Sequence, residues 1–155
     1  MGCQFYCIYK VFIIIKVNNY YEMEYLEESQ FLLKISWICF PCFLFQYING
    51  KYPIAYGTLS VLITSNLYWF QPIDGFRRNL DMMCVVFVGL HNSYIAYDAE
   101  MGLYLYASYI IATYFYLMGW YYFKKGYVKK SIYCHAMLHL CANVGNILLS
   151  LGEIS

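Results

Sequence analysis

His135 and His139 stand four residues apart in a mostly apolar run, and Asn143 and Asn146 follow eight and eleven residues after the first histidine. On an α-helix those offsets return to one face, so the four side chains form a single polar stripe. Two imidazoles one turn apart are a known way to present two nitrogens to one Zn²⁺. A catalytic zinc site needs a third protein ligand and an open position for water, whose pKa the ion lowers toward about 7. Asp81 is a candidate for that third ligand, or for the group that orients the water, and Ser65 is a candidate to assist an oxyanion. The same residues admit a plainer role. Two histidines on one face can be neutral, hydrogen-bonded packing groups, and Asp81 can pair with Arg77 or Arg78 or cap its own helix.

These groups meet only if helices bring them together. A bilayer-crossing helix takes about 20 mostly apolar residues, and five segments approach that length: 31–48, 53–70, 79–97, 101–123 and 131–151. Lys34 lies close enough to the start of the first to reach outward along its own stem, and Pro41 is expected to kink it. The second stops at Gln71-Pro72-Ile73-Asp74-Gly75, whose backbone preferences favour a turn. Asp81 falls about one turn into the third segment. Since the third and fifth segments start from the same side, Asp81 and His135 enter at similar depth, with His139 about 6 Å deeper by helical rise. Ser65 and Tyr68 reach that depth from the end of the second segment. His91, with Asn92 and Ser93, lies toward the other side and is expected to form an interhelical hydrogen-bonding patch.

Composition demands a bilayer. Of 155 residues, 62% are hydrophobic, 22% aromatic and 12% charged, against roughly 25% charged in an ordinary soluble domain. Too few polar side chains exist to cover a water-facing surface. The expected fold is all-α, an integral membrane bundle of about five transmembrane helices, forming one domain over residues 23–155. The net charge of +1 gives no clustered basic footprint, so nucleic acid is not an expected partner. Residues 1–22 read as an N-terminal extension, because Lys10 and Lys16 bracket an apolar run too short to span. An alternative is that the natural chain begins at Met23.

Lys and Arg counts give the orientation. Arg77, Arg78, Lys124, Lys125, Lys129 and Lys130 fall on one side and only Lys51 on the other, which also carries Asp98, Glu100 and Glu153. The N-terminus, the turn after the second segment and the loop after the fourth are therefore expected on the cytoplasmic side. Cys39-Phe40-Pro41-Cys42 is a C-x-x-C within an apolar run. Without a second thiol pair to relay electrons it reads as two small buried hydrophobes rather than a membrane redox pair.

Ser65, Asp81 at the head of the next helix, and His135-Ala136-Met137-Leu138-His139 on the last helix together resemble the scattered motifs of the CREST superfamily of membrane hydrolases. That superfamily includes the alkaline ceramidases and the progestin and adipoQ receptors. The resemblance implies a Zn²⁺ cofactor held by His135 and His139, Asp81 orienting or deprotonating the metal-bound water, Ser65 assisting the oxyanion, and a lipid amide or ester as substrate. Two features depart from the pattern. The family's first-motif histidine, four residues after the serine, falls here on Trp69, and the chain offers five helices rather than seven. The stretch from Tyr68-Trp69 through Asp81 is also similar to one in short multipass proteins of large DNA viruses, a likeness that implies no activity. A rival expectation is a non-catalytic multipass protein in which the polar stripe joins helices or binds a ligand. A second rival is a small carrier with a polar path along Asn92, Asn143 and Asn146.

Overall fold

The computed structural model describes residues 29–71 and 76–153. The expectations for residues 1–22 and 23–28, and for most of the turn at 71–75, lie outside the described residues. Five helices follow one another: α1 Cys39–Ile48, α2 Tyr52–Trp69, α3 Phe76–Ala96, α4 Gly102–Lys124 and α5 Val128–Leu151. No strand occurs among the described residues, as expected for an all-α chain.

Pro41 acts as expected, one turn upstream of itself. It has no N–H for the carbonyl of Trp37, and that carbonyl accepts instead from Phe40 N at 3.0 Å. The tight turn at Trp37-Ile38 that results divides the longer helix Ser29–Ile48. Pro53 opens α2 within its first two positions, where a missing N–H costs nothing. Gly126, at φ +78°, turns the chain between α4 and α5, a backbone conformation that side-chain-bearing residues rarely adopt.

Each helix packs on its sequence neighbour, and α1 closes on α5, so the five form a ring. Short turns make consecutive helices antiparallel, and an odd number of them makes α1 and α5 parallel. Their contacts bear this out. The Phe31 and Tyr133 rings meet at 6.0 Å, Cys39 and Cys42 meet Asn143, and Lys51 Nζ donates to Gly152 O at 3.0 Å. Lys51, Gly152 and the Glu100–Glu153 backbone bond therefore share one end of the ring. Just inside that end, Ile54, Ala96, Leu105 and Leu149 form an apolar plug.

The rest of the interior is unlike that of a soluble protein. Among the described residues eleven buried ones are hydrophobic and eleven are polar, while Phe87, Leu90, Leu103 and Ile110 are each at least two-thirds exposed. Polar groups inside and large apolar groups outside is the arrangement a hydrocarbon solvent selects. Two helices, Ser29–Ile48 and Val128–Leu151, are long and apolar enough to cross a membrane by mean hydropathy, at 1.6 and 1.3. α4 carries seven tyrosines, which lower its hydropathy although its only charged residue is the last, Lys124. α3 begins with Arg77, Arg78 and Asp81 in its first turns.

Gly102 permits the sharp return from α3 to α4, because a Cβ there would sit 1.9 Å from Ala96 O. Gly102→Ala is predicted to destabilise by about 1–3 kcal/mol, the usual cost of overpacking. Gly89→Ala, whose new methyl meets only a Tyr109 ring atom at 3.9 Å, should unfold close to wild type. Thermal unfolding of the two variants in the same micelle checks the contrast, and equal midpoints would contradict it.

Candidate functional site

Above the apolar plug lies a layer of hydrogen bonds that ties three helices. Asn92 on α3 donates through Nδ2 to Asn146 Oδ1 on α5 at 3.1 Å, and Tyr109 on α4 donates to the same oxygen at 2.8 Å. His91 Nδ1 lies 3.4 Å from Asn92 Oδ1, and Tyr106 donates to Ser93 O at 2.6 Å. The patch expected around His91, Asn92 and Ser93 is thus present. Asn92 and Asn146 bond each other, and Asn146 also lines the cavity described next.

Beyond this layer the ring encloses a cavity of about 380 Å³, within the range of small-molecule sites. Every helix contributes to its wall: Cys39 from α1, Thr58 and Val61 from α2, Asp81 and Val88 from α3, Tyr109 and Tyr116 from α4, and His135, His139 and Asn143 from α5. The polar stripe of α5 therefore faces inward as its spacing requires. Asn143 is held in place at several points: its amide donates to His139 O at 2.8 Å and Cys39 Sγ at 3.4 Å, and its own carbonyl lies 3.8 Å from Cys42 Sγ. The two cysteines are free thiols packed on α5, and Gln46 Nε2 approaches Cys42 Sγ at 3.2 Å.

Asp81 and Ser65 meet directly. Ser65 Oγ donates to Asp81 Oδ1 at 2.7 Å, and Thr64 Oγ1 donates to the same oxygen at 3.0 Å. The carboxylate is thus engaged by neighbouring hydroxyls of α2, while Arg77 donates to Gln71 Oε1 at 3.3 Å. On the other side of the cavity the His135 and His139 rings stack edge to face, centroids 5.0 Å apart, and the Trp69 ring stacks edge to face on His135 at 5.2 Å. Matched depth on helices leaving one side accounts for the convergence of Ser65, Asp81, His135 and His139.

Among the described residues no group of three His, Cys, Asp or Glu side chains is placed to hold one metal ion. Two imidazoles are paired, but the ring beside His135 is the indole of Trp69, whose nitrogen carries a proton and offers no lone pair. Asp81 lines the same cavity but spends an oxygen on Ser65 and Thr64.

Two wall residues, Thr58 and Tyr109, and Thr64 beside Asp81 were not picked out by types and spacing. Thr58 lies seven residues before Ser65, two turns along the same face, a signal that could have found it. Thr64 and Tyr109 carried none, the first hidden beside Ser65 and the second among the tyrosines of α4. No protein-family profile, curated protein or solved structure matches the chain.

The Asn92–Asn146 bond is predicted to couple α3 to α5 by about 0.6–1.7 kcal/mol, the range for buried polar pairs between membrane helices. A double-mutant cycle of Asn92→Ala and Asn146→Ala, read by unfolding in one detergent, measures it. Strict additivity of the two losses would contradict the pairing.

Proposed function

We propose that the chain is a multipass membrane protein whose five helices all cross the bilayer, with the Arg77 and Lys124–Lys130 end cytoplasmic, and whose central cavity binds an amphiphile. The inverted interior supports five spans. Membrane burial of only the two most hydropathic helices would leave Phe87, Leu90, Leu103 and Ile110 facing water, at a cost of about 1.5–3 kcal/mol for each large side chain. The basic end is also rich in aromatics: Lys124 Nζ sits 3.7 Å over the Trp120 ring, and Lys130 sits 5.1 Å from the Tyr127 ring. Interfacial side chains at a headgroup boundary combine in this way.

One observation carries the binding reading: the cavity opens sideways. Its α3 and α4 walls include Met82, Val86 and Tyr116, which are 41%, 61% and 44% exposed on the outer face. α3 and α4 pack sparsely on each other, whereas α4 is firmly seated on α5. A ligand in the bilayer can therefore enter between α3 and α4 without crossing water. Apolar walls would hold its tail, and the polar groups of α2, α3 and α5 its head.

A second reading, a zinc-dependent hydrolase of lipid amides or esters, is favoured by Asp81, His135 and His139 lining one cavity, with Ser65 bonded to Asp81. It lacks a third ligand beside His135. Native mass spectrometry of the purified protein separates the two readings. The binding reading predicts one amphiphile retained per chain, lost in Gly89→Leu, whose side chain would fill the cavity, and no stoichiometric zinc. Equal retention by folded wild type and Gly89→Leu would contradict it. About one zinc per chain, absent from an Asp81→Ala, His135→Ala, His139→Ala variant, would establish the hydrolase reading instead.

A further inference from the structure

The polar part of the cavity wall holds atoms with no partner in the protein. Thr58 Oγ1, Asn143 Oδ1 and His139 Nε2 are buried atoms without a hydrogen-bond partner, on residues only 2%, 4% and 5% exposed. All three residues line the cavity. Buried polar atoms in native proteins are nearly always paired, so three orphans on one cavity point to groups that a ligand supplies. The orientation of Asn143 is fixed, because its NH₂ already donates to His139 O and Cys39 Sγ. Its free Oδ1 is therefore an acceptor and wants a donor.

Charge points the same way. Among the described residues the wall holds one formally ionisable acid, Asp81, and no Lys or Arg. The hydrogen-bond donors to Asp81 are two neutral hydroxyls, so a cationic head in the cavity would be the carboxyl's charged partner on that wall. A lone charge inside hydrocarbon is costly and is usually kept for a partner. Tyr109 and Tyr116 add two ring faces or edges to the wall, a surface that suits a cation.

We propose that the cavity selects a single-chain amphiphile with a primary ammonium head, the head paired with Asp81 and the tail leaving between α3 and α4. An ammonium brings three N–H donors and one positive charge to the Asp81 carboxyl, to Asn143 Oδ1 and to the Thr58 hydroxyl, which can accept as well as donate. This inference rests on the amphiphile-binding reading and adds the chemistry of the head.

The test uses the full chain in phosphatidylcholine nanodiscs, with n-octylamine and n-octanol as probes of equal tail length. Titration calorimetry against empty nanodiscs reads saturable binding. Octylamine is expected to bind roughly tenfold or more tightly than octanol, a difference of about 1.4 kcal/mol or more. Asp81→Asn, which keeps the shape of the side chain, is expected to lose the octylamine preference and bring the two probes within about twofold of each other. Equal binding of the two probes by wild type would overturn the ammonium assignment and leave the cavity reading standing. Saturable binding of neither probe would remove both. The wild-type comparison stands on its own should Asp81→Asn fail to fold.

Discussion

Asn143 is the side chain through which the last helix meets the first, and the ring depends on that meeting. Its side-chain amide donates along α5 to His139 O and across to Cys39 Sγ, while its main-chain carbonyl accepts from Cys42 Sγ. Water offers no drive for helix association inside a bilayer, so such close polar and small-residue contacts are what make two helices prefer each other over lipid. Parallel closure of α1 on α5 then sets the positions of the other three helices, which are linked by short turns. Once the ring is closed, polar side chains of α2, α3 and α5 face one cavity.

Much of this was readable from residue types because helical periodicity fixes which of them share a face. The offsets of His135, His139, Asn143 and Asn146 required a common face, and counting turns from Arg77-Arg78 put Asp81 level with His135. Pro41 announced the break near Trp37. What types and spacing could not supply was which hydroxyl would reach Asp81. Ser65 and Thr64 lie on adjacent positions of one helix, and both turn out to donate to it. Whether Asp81 pairs with an arginine, a hydroxyl or a metal depends on rotations of α2 and α3 about their axes, and the hydropathy pattern scarcely fixes these: the hydrophobic residues of α2 are spread almost evenly around it. Tyr109 was hidden for a related reason, since in a helix with seven tyrosines the inward-facing one carries no mark.

The cluster around His135 shows how one residue type can redirect a site. Trp69, His135 and His139 stack in sequence, each ring edge to face with the next. A nitrogen ligand at the first position would join two imidazoles to make a three-ligand centre. An indole there instead packs against them and has a proton where a lone pair is needed. His139 Nε2, left without a protein partner, and Asp81, held by two hydroxyls, are then polar groups available to a ligand that hydrogen-bonds. The apolar plug at Ile54, Ala96, Leu105 and Leu149 closes the opposite end, so the sparse α3–α4 seam is the natural way in.

The account stands or falls on whether α2, α3 and α4 cross the membrane with α1 and α5. Single cysteines at three exposed turn positions decide it: Asn49→Cys after α1, Glu100→Cys between α3 and α4, and Lys125→Cys between α4 and α5. Labelling sealed vesicles with a membrane-impermeant maleimide, scored against wild type, reads the side on which each lies. Five spans predict that Asn49→Cys and Glu100→Cys label from one side and Lys125→Cys from the other. All three labelling from the same side would mean that only the first and last helices cross, and would contradict the ring and its cavity as a membrane site.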